Sequence, residues 1–84
     1  MKTPETISAW LVKYVAKLLE VSPSEIDPTT SFGEYGIDSA GAAGLSEDLG
    51  QWLGLKLKDS VAFEYPTIEQ LSKHVSGQDG DQLG

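Results

Sequence analysis

Apolar residues that recur three and four positions apart restrict the fold of this chain more than any other feature. In the first such segment Ile7, Leu11 and Val15 repeat at the period of one helix face. Thr3-Pro4-Glu5 precedes them and combines a capping hydroxyl, a proline and an acid, a combination typical of helix starts. The pattern predicts a helix over residues 5–20. Its expected core-facing side also includes Trp10, Tyr14, Leu18 and Leu19.

A second helical pattern is predicted over residues 39–53. Asp38 before it is a good N-cap residue, and Gly54 after it is typical of helix C-termini. Three internal glycines each cost about 0.8–1 kcal/mol relative to alanine, so tertiary contacts must hold this helix. The sequence leaves open whether these glycines allow close approach or motion. The expected core-facing residues are Leu45, Leu49, Trp52 and Leu53, and the expected solvent-facing residues are Ser46, Glu47, Asp48 and Gln51.

In the rest of the chain, proline and glycine residues interrupt the helical patterns and mark turns and loops. Residues 21–38 form a long connection, and a connection of this length in a compact domain needs anchors. A short helix is expected after Asp59-Ser60, and Thr67 is expected to start a last helix that ends at Ser76. Residues 77–84 are polar and are predicted to be a disordered tail following a domain of residues 1–76. The expected anchors of the long connection are Ile26, Phe32, Tyr35 and Ile37.

Composition excludes several classes of protein. The 84 residues allow one small all-α domain, and the absence of cysteine excludes disulfides and thiolate metal sites. No apolar run is long enough for a membrane span or a secretory signal, so a cytoplasmic location is expected. The net charge of −7 argues against a nucleic-acid partner, which needs a basic face. No basic residue lies between Leu18 and Leu55, so partners are expected to be basic; an acidic surface kept only for solubility is the alternative.

Gly36-Ile37-Asp38-Ser39 stands where the long connection meets the second helix. Ser39 is expected to be the first or second helical residue, so its hydroxyl lies near unpaired backbone N–H groups and the positive end of the helix dipole. This is a favourable place to hold a phosphate.

Two other chemistries do not fit this region. A calcium loop from Asp27 to Asp38 would need acidic or amide ligands at its third and fifth positions and glutamate at its twelfth, and none is present. A hydrolase nucleophile at Ser39 would need glycine two residues earlier and a nearby base. The one histidine, His74, falls in the last predicted helix. No catalytic or metal-binding residue is therefore predicted.

Gly36-Ile37-Asp38-Ser39 followed by Leu45, in an acidic chain with this helix order, resembles the attachment site of acyl carrier proteins. Tyr65-Pro66-Thr67-Ile68 supports the resemblance, which covers about residues 5–76. The resemblance implies a four-helix bundle of acyl-carrier type, with 4′-phosphopantetheine from coenzyme A attached to Ser39. The thiol of this arm would hold acyl groups as thioesters, so the chain would be a carrier and not an enzyme. The implied site residues are Ser39, Asp38 and Gly36.

Within that family the chain looks like polyketide synthase carriers, notably those loaded by fatty acyl-AMP ligases. Trp52-Leu53-Gly54 and Tyr65-Pro66-Thr67 carry this likeness, whereas peptidyl carriers often have histidine where Asp38 stands. Family members commonly have leucine and glutamate where this chain has Ala40 and Gly44. The implied partners of the expected monomer are a phosphopantetheinyl transferase, an acyl-loading enzyme such as the ligase, and a ketosynthase. The expected partner surface consists of Glu34, Ala40, Gly44, Glu47 and Asp48.

Two other functions stay open at this point. One is a carrier of fatty-acid synthesis, and the other is an unmodified helical interaction module in which Ser39 is only a helix-start residue. Four apolar residues are expected either to line space beside a bound acyl chain or to be ordinary core: Leu45, Leu49, Val61 and Phe63.

Overall fold

The computed structural model describes the backbone of residues 2–81 and the side chains of residues 2–77. Four α-helices follow one another, and two short 3₁₀ turns lie in the long connection after the first helix. The predicted all-α class, with three longer helices and one short helix, is confirmed. Within residues 2–81, β pairing is limited to a single bridge between Ser31 and Thr67. The helices are α1 (Pro4–Leu19), α2 (Ser39–Leu53), α3 (Val61–Glu64) and α4 (Ile68–Asp81), and the 3₁₀ turns are Pro23–Glu25 and Gly33–Tyr35.

The first two helices begin and end at residues that satisfy their free backbone groups. Thr3 Oγ1 accepts a first-turn N–H of α1 at 3.2 Å, and Asp38 Oδ1 accepts one of α2 at 2.9 Å. At the other ends Glu20, with φ of 60°, and Gly54, with φ of 72°, adopt left-handed backbone and donate their N–H groups to the last turn. Both helices are confirmed to within one residue of the predicted bounds.

The last helix is longer than its sequence pattern predicts. Thr67 caps it as expected, because its Oγ1 accepts the Gln70 N–H at 3.1 Å. However, α4 does not end at Ser76 but continues to Asp81. Once a helix has been nucleated, each further residue adds a backbone hydrogen bond without needing a buried side chain. The helix thus extends over residues 77–81 of the predicted tail, and residues 82–84 lie outside the described part. The disorder of the tail and the domain boundary at residue 76 stay predictions.

The core lies between α1 and α4 on one side and α2 and α3 on the other, because α1 packs along α4 and α3 packs along α2. Leu45, Leu49 and Val61 belong to it as ordinary core. The buried apolar residues are Ile7, Leu11, Val15, Ala16, Ile26, Phe32, Ala42, Leu45, Leu49, Val61, Ala62, Ile68, Leu71 and Val75.

Leu18 corrects the predicted core face of α1, because its side chain is 50% exposed. The buried stripe of α1 advances from Ile7 to Leu11 to Val15, and the helix ends one turn later. At that last turn Leu19 is half-buried against the core. Leu18 is therefore left on the solvent side.

The long connection is anchored at its middle to the start of α4. Phe32 is buried, and its backbone N–H donates to the Pro66 carbonyl at 2.8 Å. Nearby, the Glu69 N–H donates to the Pro28 carbonyl at 3.0 Å. Of the four expected anchors, Ile26 and Phe32 are buried, whereas Tyr35 and Ile37 are half-buried against the core.

Ser46 was expected to face solvent, and the structure shows that it is fully buried. Its Oγ donates to the Ala42 carbonyl at 2.8 Å and accepts the Ala62 N–H at 3.3 Å. The small side chain lets α3 pack directly on α2, and the hydroxyl satisfies a backbone N–H of α3 that would otherwise be buried without a partner. Sequence periodicity alone could not identify this residue, because serine on a helix is usually exposed.

The internal glycines of α2 have different structural roles. A Cβ on Gly50 would lie 2.8 Å from the Leu55 carbonyl oxygen, and one on Gly41 would lie 3.0 Å from Cγ2 of Ile37. A Cβ on Gly44 would meet no atom within 4 Å. Close approach of the backbone therefore explains Gly50 and Gly41, and no packing contact requires Gly44.

This difference gives a matched pair of stability predictions. Gly44→Ala should stabilise the domain by about 0.5–1 kcal/mol, because alanine removes the conformational entropy cost of glycine in open space. Gly50→Ala should destabilise it by about 1–3 kcal/mol, because the new methyl group displaces the backbone at Leu55. Urea denaturation of both variants and the wild type measures the two changes in the free energy of unfolding. Stabilisation by both substitutions would show that the Leu55 segment moves aside without cost.

Candidate functional site

Ser39 lies at a sharply defined junction between loop and helix. The second 3₁₀ turn ends at Tyr35, and the left-handed backbone of the next residue, Gly36 (φ 81°), turns the chain towards α2. Asp38 then takes an extended conformation and caps α2, so that Ser39 is the first helical residue. Ser39 is exposed. These placements agree with the positions expected for Gly36, Asp38 and Ser39.

Backbone and side-chain contacts hold the segment around this junction in place. The Ile37 N–H donates to the carbonyl of the buried Phe32 at 3.1 Å. Gly41 packs so closely against Ile37 that a methyl group there would lie at 3.0 Å from it. The capping carboxylate of Asp38 accepts the Gly41 N–H at 2.9 Å, which fixes the first turn of α2. The hydroxyl of Ser39 is thus presented to solvent from a well-supported backbone.

The geometry suits a phosphodiester on Ser39. The N–H groups of the first helical turn and the helix dipole favour negative charge beside Ser39. Ser39 is an exposed residue, so a bulky group attached to it would need no rearrangement of the core. The residues present therefore fit a covalently attached phosphopantetheine group.

The residues that could support other chemistries are engaged elsewhere. Asp27 accepts both the N–H and the hydroxyl of Thr29, at 2.9 and 2.7 Å, and these bonds lower the pKa of Asp27. His74 stacks on Tyr65 with 3.9 Å between ring centroids. Within residues 2–77, acidic and histidine side chains form no group of three or more that could hold a metal ion. Every helix within residues 2–81 is too short or too polar to cross a membrane.

The residues expected to form the partner surface differ in their surroundings. Glu34, Ala40 and Glu47 are exposed, and Gly44 is half-buried with open space where a side chain would project. Asp48 is also exposed, but its Oδ2 accepts the Tyr14 hydroxyl at 2.6 Å. Asp48 therefore links α2 to α1, which the sequence pattern did not reveal.

The bond between Tyr14 and Asp48 borders a stack of aromatic rings on the same two helices. Trp10 lies between Tyr14 and Trp52, with centroid distances of 5.2 and 5.0 Å. Lys2 Nζ lies 4.8 Å from the centroid of the Trp52 ring. Partial burial, followed by the hydrogen bond to Asp48 and its negative charge, raises the pKa of Tyr14 to about 12.

Phe63 differs from its predicted surroundings. It was expected to line space beside a bound chain or to join the core, but its side chain is 61% exposed. The buried face of α3 consists of Val61 and Ala62 alone. A four-residue helix presents too short a pattern for periodicity to assign its faces.

Comparison with known proteins identifies the family. The family model that describes the phosphopantetheine attachment site matches residues 9–75. An acyl carrier protein of Teredinibacter turnerae is 34% identical over 76 residues, which are 90% of this chain and 87% of that protein. A polyketide synthase of Bacillus subtilis is 38% identical over 69 residues, which are 82% of this chain but 2% of the synthase.

Solved structures show the same architecture. A free-standing peptidyl carrier protein from an Acinetobacter baumannii secondary metabolic pathway superposes with a TM-score of 0.85 at 35% identity, over 93% of this chain and 98% of that one. An acyl carrier protein from Anabaena sp. with a variant phosphopantetheinylation-site sequence gives 0.84 at 38% identity, over 90% and 86%.

A small helical bundle that presents one serine at a capped helix start, with these relatives, is a carrier protein. The chain belongs to the phosphopantetheine attachment-site family, whose domain carries a covalently bound 4′-phosphopantetheine, and it is related to the carriers of polyketide synthases. Carrier domains of this kind are not themselves catalytic, and those of polyketide synthases work with a ketosynthase and modifying enzymes.

The contact between Tyr14 and Asp48 gives a prediction about pH. In Asp48→Asn the pKa of Tyr14 should fall from about 12 towards the ordinary value of 10.0, because the carboxylate charge is removed while burial remains. An NMR titration of the Tyr14 ring measures this, and Glu47→Gln, next to Asp48 on α2, should leave it unchanged. Because the folded pKa lies above the unfolded value, the stabilisation is complete below about pH 10 and is lost as the pH rises towards 12. An unaltered Tyr14 titration in Asp48→Asn would contradict the contact.

Proposed function

We propose that this chain is an acyl carrier protein and that Ser39 is the residue to which 4′-phosphopantetheine is attached. The observation that carries the proposal is the exposed hydroxyl of Ser39 on the first residue of α2, directly after the capping Asp38. Gly36 and Asp38 act as positioning residues, since they set the direction of the chain and the start of the helix.

The attachment step requires a phosphopantetheinyl transferase and coenzyme A. The Ser39 Oγ forms a phosphodiester bond, the pyrophosphate bond of coenzyme A breaks, and adenosine 3′,5′-bisphosphate leaves. The hydroxyl proton passes to a base on the transferase or to water. In this step the chain supplies the exposed Ser39 as the attachment site and no catalytic group. It therefore acts as a carrier and not as an enzyme.

The class of cargo follows from the residues around Ser39 and from the relatives. Acyl groups of a polyketide-type pathway would be held as thioesters on the arm. Asp38 favours an acyl carrier over a peptidyl carrier, and the Teredinibacter turnerae acyl carrier matches this chain over most of its length. We infer an acyl-loading enzyme such as a fatty acyl-AMP ligase as a further partner, acting on a monomeric carrier in the cytoplasm.

The alternative is a helical interaction module that is never modified. Incubation with coenzyme A and a broad-specificity transferase should raise the intact mass of the wild type by one phosphopantetheine group. Ser39→Ala should show no increase, whereas Ser24→Ala, which changes another exposed serine, should be modified like the wild type. A wild type that stays unmodified by a transferase shown to be active on another carrier would favour the interaction module.

A second prediction concerns the charge of the partner surface. Glu47 is exposed on α2, and the sequence has no basic residue between Leu18 and Leu55, so a basic transferase surface should be attracted to it. Glu47→Lys should slow modification of Ser39 several-fold at low ionic strength, and the difference should shrink as salt screens the charges.

Glu69→Lys on α4 is the matched control, because it makes the same change of charge at an exposed acid of another helix. The initial rate of modification at low and high salt measures both variants. Equal slowing by the two substitutions would mean that only net charge matters and that Glu47 is not part of a docking surface.

A further inference from the structure

The hydroxyl of Tyr35 bonds twice to the backbone of a residue that lies earlier in the long connection. It accepts the Asp27 N–H at 2.6 Å and donates to the Asp27 carbonyl at 3.3 Å. The ring is half-buried against the core, so the hydroxyl extends from a packed side chain. Within the part of the chain that the structure describes, no other hydrogen bond joins residues 21–30 to residues 31–38. Tyr35 therefore links the two halves of the long connection.

Asp27 belongs to a well-held part of that connection. Its carboxylate accepts the N–H and the hydroxyl of Thr29, at 2.9 and 2.7 Å. The residue before it, Ile26, is buried. The carbonyl of the residue after it, Pro28, accepts the Glu69 N–H of α4 at 3.0 Å. The core and α4 thus hold the backbone to which the Tyr35 hydroxyl is bonded.

Tyr35 is also the last residue of the second 3₁₀ turn. Only Gly36 and Ile37 separate it from Asp38, the cap of α2. A shift of the turn would therefore move this cap, and a helix that loses its cap frays at its first residues. The first residue of α2 is Ser39.

Resting on the proposed attachment at Ser39, we propose that Tyr35 is a positioning residue for the transferase reaction. Its hydroxyl holds the turn before α2 on the backbone of Asp27, so that Ser39 stays in the first helical position. The transferase must bring the phosphorus of coenzyme A into line with the Ser39 hydroxyl oxygen. A misplacement of about 1 Å can slow such a reaction about 100-fold, so a small shift of the turn is enough to matter.

The kinetic parameter that this role affects is kcat. Without the Tyr35 hydroxyl, the carrier should exchange between the present conformation and one with a loosened cap. Glu47, which we propose as part of the docking surface, lies about two turns further along α2 and does not move with the cap. The transferase therefore binds both conformations but modifies only the first, so kcat falls while KM stays the same.

The test compares two tyrosines that each lose a hydroxyl, with coenzyme A saturating and the carrier concentration varied. Tyr35→Phe keeps the ring and should lower kcat about fivefold, as expected for the loss of one or two hydrogen bonds, with KM within about twofold. Tyr14→Phe is the matched control, because it removes a hydrogen bond of the same 2.6 Å length between α1 and α2. Both parameters of Tyr14→Phe should stay within about twofold of the wild type.

Amide hydrogen exchange of the unmodified carrier, measured by NMR, separates positioning from a general loss of stability. The Ile37 N–H, which donates to the Phe32 carbonyl, should exchange about fivefold faster in Tyr35→Phe, because local opening of the turn becomes easier. In Tyr14→Phe this N–H should exchange at the wild-type rate, because opening of the turn does not break the bond of Tyr14. Amides that exchange only by global unfolding should accelerate in both variants.

The outcomes separate this inference from the proposed function. A wild type that is modified at Ser39 and a Tyr35→Phe variant with unchanged kcat would overturn the role of Tyr35 and leave attachment at Ser39 intact. Equal slowing by Tyr35→Phe and Tyr14→Phe, or equal acceleration of Ile37 exchange in both, would also overturn it, since the effect would then follow from stability alone. A wild type that is not modified at all would remove the proposed function and this inference with it.

Discussion

The Asp38 carboxylate accepts the Gly41 N–H at 2.9 Å, and the start of α2 depends on this bond. A helix turns by about 100° per residue, so a start one residue earlier or later would point Ser39 in another direction. Gly36 makes the preceding turn possible, because its left-handed backbone is accessible to glycine at little cost. The exposed hydroxyl is therefore a consequence of backbone geometry and not only of residue type.

The long connection and α3 extend this support to the rest of the domain. The middle of the connection is tied to the start of α4 through the bond between Phe32 and Pro66, so the loop before Ser39 is held at both ends. Further along α2, the buried hydroxyl of Ser46 accepts a hydrogen bond from the backbone of α3. Because a buried N–H without a partner costs about 1–3 kcal/mol, this small polar contact also specifies where α3 can lie. The site is thus built by a loop and a short helix placed around a single longer helix.

The two acidic residues of α2, Glu47 and Asp48, are adjacent in sequence but have different surroundings. Asp48 is engaged by Tyr14 and joins α2 to α1, beside the stack of Trp10 and Trp52. Glu47 is exposed and belongs to the partner surface that we propose. The total charge of −7 describes the field that a partner meets, but it does not distinguish a carboxylate that holds two helices together from one that faces a partner.

The sequence by itself determined the helical class, the bounds of α1 and α2, and the position of Ser39 after its cap. These features depend on local patterns, namely helical periodicity, capping residues and glycine at helix ends, which neighbouring residues specify. Tertiary structure alone decided that Ser46 is buried, that Leu18 and Phe63 are exposed, and that Asp48 binds Tyr14. Each of these depends on which element packs against the residue in space. The residue pattern along one helix does not specify which other element will pack beside it.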